Sequence, residues 1–324
     1  MNSINSPIRP LTHGISVIDA HYVQAGVASI YIVVQEKKVT LIETGTAHSV
    51  PYILIALEEL GFTADDVDYV IPTHIHLDHA AGAGDLLQHC TNAKLVIHPR
   101  GAPHMIDPQR LEAGTMAVYG KEKYRQLYGK LKPIAKQRIL IAEDGFELDF
   151  NGRLLRFIDT PGHALHHFCI YDPQSEGIFT GDTFGVAYKA FATSVGEFIF
   201  ATTTPVHFDP EAMLASIDKL LALKPKFMYL THFGMIEPTD AVVAQLIKSI
   251  HAFVAIAEAE KEDTNGRVAR IEQQMMQWLL DQLGELNCVC SIAECRKKLA
   301  FDCYLNAQGL DVWLKRLQRM RSTT

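Results

Sequence analysis

The six residues His74-Ile75-His76-Leu77-Asp78-His79 hold three imidazoles and one carboxylate. The lead-in Tyr69-Val70-Ile71-Pro72 is mostly apolar and β-favouring, as in a buried strand. Ala80-Ala81-Gly82-Ala83-Gly84-Asp85-Leu86-Leu87 follows as a small-residue helix start. Side chains on extended backbone alternate with a period of two, so His74 and His76 point the same way and can share one metal ion. Asp78 and His79 lie past the turn and can face a second ion nearby. Imidazole and carboxylate together suit zinc, iron, manganese or cobalt. The plainer alternative is a His-rich surface loop, which seldom supplies these residue types at this spacing.

The H-x-H-x-D-H pattern resembles the signature of the metallo-β-lactamase-fold superfamily. The later landmarks of that family follow in order over about residues 13–240: Asp159-Thr160-Pro161-Gly162-His163, Phe179-Thr180-Gly181-Asp182-Thr183 and Leu230-Thr231-His232-Phe233-Gly234. Each is a short apolar strand ending in a loop with one ligand-type residue, and a strand end holds a ligand rigidly. The resemblance, to the glyoxalase II- and lactonase-like branch, implies an αββα sandwich. It implies that His74, His76 and His163 hold one metal, that Asp78, His79 and His232 hold a second, and that Asp182 bridges them. The implied cofactors are two divalent ions, zinc first, with iron or manganese as alternatives. Independently of the family, seven ligand-type residues from four strand ends suit two ions roughly 3.5–4 Å apart. Asp182 stands where the antibiotic-destroying members carry cysteine, which argues against β-lactamase activity. Glu43 stands where the family usually carries Asp; it is one methylene longer, and a carboxylate there can hold a ligand histidine in one tautomer.

Two such ions lower the pKa of a bridging water toward neutrality and so supply hydroxide. One polarises a carbonyl or phosphoryl oxygen while the other stabilises the forming oxyanion. Asp78 or Asp182 is the candidate to take the remaining proton. A thiolate leaving group needs little help, since a thiol pKa is about 8.5; an amine or alkoxide needs a proton donor, and no residue stands out for that. The expectation is a binuclear hydrolase of an ester or thioester bond, with lactone opening next and phosphodiester cleavage third. The alternative from another class is a non-hydrolytic di-iron redox or sensor protein of the same fold.

The elements that must position these groups are legible as short apolar runs. Strands are expected at residues 29–34, 39–42, 95–98, 138–141, 146–150, 154–158, 168–171, 177–180 and 227–230, and helices at 49–60 and 210–223. Residues 108–134 read as a tyrosine-rich helical insertion, either a lid over the metals or a surface for a partner subunit. After residue 238 the strands stop, and helices are expected at 239–262, 268–283, 291–300 and 310–321. The domain reading is a catalytic domain at 1–238 and a helical extension at 239–324, with Trp278 and Trp313 as core anchors. Phe184, Tyr188, Phe191, Phe198 and Phe200 either wall an apolar pocket or pack in the core. His98, His166, His167, His21 and His207 are candidates for contacts behind the ligands or to substrate.

The chain has 324 residues, 48% of them hydrophobic, enough for one large domain with an appendage. Its net charge of −7 argues against a nucleic-acid partner. Residues 1–12 are polar and lack the pattern of a signal peptide. No run of about 18 uncharged apolar residues exists; the nearest, 241–259, contains Lys248, His251 and Glu258 and reads as amphipathic. The expected setting is the cytoplasm, with a small-molecule substrate, no membrane and a homodimer as the candidate assembly. Cys288, Cys290, Cys295 and Cys303 form C-x-C-x4-C-x7-C, which matches no zinc-finger or ferredoxin spacing; with Cys90 and Cys169 they are expected to be reduced.

Overall fold

The computed structural model describes residues 8–323 except 192, 194 and 195, so the first seven residues of the polar N-terminal segment lie outside the described residues. Two sheets, each running in chain order, organise it. The first contains β1 (Arg9–Pro10), β2 (Ile15–Asp19), β3 (Ser29–Gln35), β4 (Lys38–Ile42), β5 (Val67–Ile71), β6 (Lys94–Ile97) and β7 (Ile139–Ile141). The second contains β8 (Glu147–Phe150), β9 (Arg153–Asp159), β10 (Phe168–Asp172), β11 (Gly177–Val186), β12 (Phe227–His232) and β13 (Gly234–Ile236). Helices α1 (Val50–Glu59), α2 (Leu77–Ala80), α3 (Ala83–His89), α4 (Ala102–Ile106), α5 (Gln109–Tyr119), α6 (Lys121–Tyr128), α7 (Pro210–Leu221), α8 (Asp240–Ala259), α9 (Arg267–Glu285) and α10 (Ile292–Thr323) complete the chain. Two sheets with helices between and after their strands, and a helical C-terminal region, agree with the expected αββα architecture.

The order of pairing in the first sheet decides what meets at its edge. β1 to β4 pair antiparallel, with a two-residue turn between β3 and β4, whereas β4, β5, β6 and β7 pair parallel. Parallel neighbours end on the same side. The segments that follow β4 (Glu43), β5 (Thr73 to His79) and β6 (His98) therefore emerge side by side, and Glu43 N–H continues the ladder to the Ile71 carbonyl at 3.1 Å.

By contact the chain divides into two compact units. The first comprises Met1–Asp159, His166–Gly181 and Thr231–Gly234. Its sheets meet through rings: Tyr31 of β3 lies edge-on to Phe179 of β11 at 5.2 Å, and Tyr69 of β5 edge-on to Phe150 of β8 at 6.2 Å. Arg153 and Asp172, both fully buried, form a two-pronged ion pair between β9 and β10. The inserted α4 to α6 pack back on this unit. Tyr124 and Tyr128 are buried, Tyr124 donating to Glu112 Oε1 at 2.9 Å and Tyr128 sharing a 3.0 Å hydroxyl contact with Tyr22.

The second unit comprises Thr160–Leu165, Asp182–Leu230 and Met235–Thr324. The helices after residue 238 cluster with residues 182–230. The aromatic stretch is core rather than pocket wall. Phe184, Tyr188, Phe191, Phe198 and Phe200 are all buried, adjacent rings lie 5.8–6.3 Å apart, and Tyr188 donates to Asp302 of α10 at 2.9 Å. α8 is long and apolar enough by composition to cross a membrane, and its Val242, Leu246, Ile250, Phe253 and Ala257 form a stripe buried inside this unit. Trp313 packs on Phe208 and Trp278 on Phe253.

The two final helices expected at 291–300 and 310–321 are one continuous α10. Gly309 reads as a break but serves contact: a Cβ there would lie 1.6 Å from the Thr203 carbonyl oxygen. The roughly 1 kcal/mol cost of glycine in a helix is offset by the backbone approach it permits.

Candidate metal centre

In the first unit, β5 ends at Ile71 and the chain bends at Thr73, His74 and His76 before the short α2, with His76 at its N-cap position, rather than running on as the extended strand the sequence suggests. The bent segment sets the rings of His74 and His76 4.5 Å apart, and the helical turn swings His79 to 4.0 Å from His74. His232, at the end of β12, lies 5.3 Å from His79 ring to ring. Asp78 sits between them: its Oδ2 is 3.7 Å from His79 Nε2 and 3.5 Å from His232 Nε2. One ligand atom from each of Asp78, His79 and His232 falls within 4.8 Å of the others. Those separations are long for hydrogen bonds. They match the roughly 3.4 Å expected between two ligand atoms each about 2.1 Å from one tetrahedral ion.

Hydrogen bonds at the far side of the His74, His79 and His232 rings fix their tautomers. His79 Nδ1 donates to Glu43 Oε1 at 2.9 Å. Thr73 Oγ1 donates to the same oxygen at 2.5 Å and so accepts from His74 Nδ1 at 3.1 Å. Thr231 Oγ1 donates to that oxygen at 2.9 Å, while Thr73 N–H takes Glu43 Oε2 at 3.1 Å. His232 Nδ1 donates to the Val27 carbonyl at 2.7 Å. With Nδ1 protonated in each case, the Nε2 lone pair faces the cluster, the form in which neutral imidazole binds a metal. Glu43 is 1% exposed, and its four contacts satisfy a carboxylate that burial alone would penalise.

In the second unit, His163 Nε2 lies 3.3 Å from Asp182 Oδ2. His163 Nδ1 donates to Thr202 Oγ1 at 2.8 Å, and Thr202 passes its own proton toward the Asp182 carbonyl at 3.4 Å. The same device thus recurs, with a threonine hydroxyl as acceptor. Asp182 stands in β11, whose ten residues are all buried. Gly181 before it adopts φ +50°, and a Cβ there would come within 2.5 Å of both His167 Nε2 and Thr73 Oγ1.

The remaining histidines take other places. His166 and His167 crowd His74 at 6.1 and 4.9 Å, ring to ring, and His166 lies 5.5 Å from His76. His98 donates from Nε2 to Asp159 Oδ1 at 3.1 Å and accepts Arg100 N–H at Nδ1. His21 stacks on Tyr52 at 4.0 Å. Burial, and then the charge of Asp78, push the Tyr22 and Tyr128 hydroxyls well above the ordinary tyrosine range, so the pair stays neutral. Thr73, Thr202, Thr231 and the Val27 carbonyl orient these histidines, and ligand-type spacing alone does not point to them. For two of them a signal exists, the dipeptides Thr73-His74 and Thr231-His232, which place a hydroxyl directly before a ligand-type histidine.

Comparison with known proteins follows this geometry. The family profile described as the metallo-beta-lactamase superfamily matches residues 23–232. A metallo-beta-lactamase fold-containing protein of Sulfurisphaera tokodaii is 27% identical over 216 residues, spanning 65% of this chain and 75% of that one. An atrochrysone carboxyl ACP thioesterase of Aspergillus fumigatus is 25% identical over 216 residues, spanning 64% of this chain and 54% of that one. Among solved structures, an archaeal metallo-beta-lactamase superfamily protein of Sulfolobus tokodaii superposes with a TM-score of 0.61 at 23% identity, covering 93% of this chain and 99% of that one.

Proposed function

The chain belongs to the metallo-β-lactamase superfamily, and from that membership we propose that it is a hydrolase dependent on two divalent metal ions, zinc by preference, acting on an ester or thioester bond of a small molecule. The family's division of ligands is carried over residue by residue: His74, His76 and His163 for one ion, Asp78, His79 and His232 for the other, Asp182 for both. The observation that carries the reading is the locked set of imidazoles. His74, His79, His163 and His232 all commit Nδ1 to a hydrogen bond and so offer Nε2 as a neutral donor. Building four such locks, one around a buried carboxylate, has an evident purpose only if a cation is held.

When bound, such ions supply a water acidified toward neutrality and a Lewis acid at the substrate oxygen. The chain's own residues do the rest. Asp78 or Asp182 would be the carboxylate to receive a proton from that water, and Glu43 and Thr202 keep the imidazoles from turning. A thiolate leaving group needs little protonation, since a thiol pKa is about 8.5, which favours a thioester over an amide. The thioesterase named among the relatives agrees with that preference, and lactone opening stands next.

The test is elemental analysis of purified protein with thioester, lactone and phosphodiester panels before and after chelation. Two equivalents of metal and a chelator-sensitive thioesterase or esterase activity are expected. Two equivalents of iron in a coloured protein that dithionite bleaches, with no turnover on any panel, would overturn the reading.

A further inference from the structure

The connection between α9 and α10 gathers three of the six cysteines away from the metal ligands. Cys288 and Cys290 are partly exposed on it, and Cys295 is 2% exposed in the first turn of α10. All three are free thiols. Cys295 Sγ reaches back to the Cys290 carbonyl oxygen at 3.8 Å, and Cys290 Sγ donates to Glu294 Oε2 of the same turn at 3.8 Å. The backbone that holds them is fixed: Ser291 N–H and Oγ–H donate to Glu294 Oε2 at 3.1 and 2.7 Å, and Glu294 N–H returns to Ser291 Oγ at 3.3 Å. This reciprocal cap starts α10 between Cys290 and Cys295. The turn is open to solutes, with Val289 95% and Ile292 68% exposed.

Three thiols on one turn and the helix start it leads into, one buried and two reachable, form a graded set. We propose that this turn is a thiol–disulfide site, in which Cys288 or Cys290 reacts with a low-molecular-mass disulfide and Cys295 resolves the product into an internal disulfide. In the first step the thiolate of Cys288 or Cys290 attacks one sulfur of the reagent; a mixed disulfide forms and one reagent thiolate leaves. In the second step Cys295 gives its proton to solvent and attacks the protein sulfur of that mixed disulfide; the internal bond forms and the second reagent thiolate leaves. Two protein thiols are oxidised by two electrons, and one reagent disulfide is reduced to two thiols. Burial, reinforced by the neighbouring thiols, pushes Cys295 up to about 12. It therefore waits protonated while an exposed thiol makes the first attack. The site is independent of the hydrolytic reading, since none of its residues is a proposed metal ligand.

The full-length protein would be treated with glutathione disulfide at pH 8, denatured, alkylated and mapped by mass spectrometry. Alkylatable thiols should fall from six to four, with a disulfide joining Cys295 to Cys288 or Cys290 and no retained glutathione. Cys295→Ser, once shown to melt as a folded protein, should instead retain glutathione on Cys288 or Cys290. The double variant C288S/C290S, altered only at partly exposed positions, should keep all its remaining thiols free. Six free thiols after treatment, a disulfide between Cys288 and Cys290, glutathione held while Cys295 stays alkylatable, or a disulfide at Cys295 in the double variant would each overturn the proposal.

Discussion

Thr203 and Asn306 hold each other twice across 103 positions of sequence: Thr203 N–H donates to Asn306 Oδ1 at 2.7 Å, and Thr203 Oγ1 donates to the Asn306 carbonyl at 3.0 Å. Gly309, one helical turn further along α10, lets the two backbones approach. The residue beside Thr203 is Thr202, the acceptor for His163 Nδ1. The C-terminal helix thereby fixes the segment that orients a proposed metal ligand.

Asn306→Ala should accordingly do two things. It strands the buried Thr203 N–H, at about 1–3 kcal/mol, and it loosens Thr202, which should weaken metal retention by up to about tenfold. Gly309→Ala should destabilise at least as much, because its methyl has no space. Thermal melting and chelator competition measure the two effects. An Asn306→Ala protein matching the parent in both would show that α10 is not what holds His163.

Glu43 gathers three donors on one oxygen, and two of those contacts lead to His74 and His79. Glu43→Gln keeps the shape but turns a donor amide toward donors, while Glu43→Asp is shorter by about 1.5 Å and falls short of them. Both should lower metal affinity by about 10- to 100-fold, read by equilibrium dialysis. Unchanged affinity in both variants would remove Glu43 from the account.

Removing a ligand should be harsher. His232→Ala takes one of the two imidazoles facing Asp78, and Asp182→Ala takes the carboxylate facing His163. Each should lose metal and with it hydrolysis, while melting remains cooperative. Full turnover by metal-depleted variants would refute the metal dependence.

Alkaline stability offers a separate check. Burial pushes the Cys90 thiol from 9.0 up to about 11, against the opposing pull of Arg138. The native state therefore holds this proton more tightly than the unfolded chain does. Its contribution to stability is complete below pH 9 and declines as the pH rises to about 11. Urea unfolding at pH 8, 9, 10 and 11 should show that decline, and a shallower one in Cys90→Ala. Equal slopes would exclude this thiol as a source.

Local patterning determined a good deal of this protein. Short apolar runs marked most of the strands, and H-x-H-x-D-H with three later strand ends carried the resemblance that names the family and its sandwich. That information is local because strand formation and ligand spacing both depend on near neighbours. The tertiary structure decided what meets across the chain. Parallel pairing of β4 with β5 brought Glu43 to Thr73 and His79, so the longer side chain found a partner that no spacing could reveal. It turned the aromatic run at residues 184–200 into core. It also joined two expected helices into one, because the glycine between them answers to a backbone 106 positions away in the chain rather than to its own neighbours.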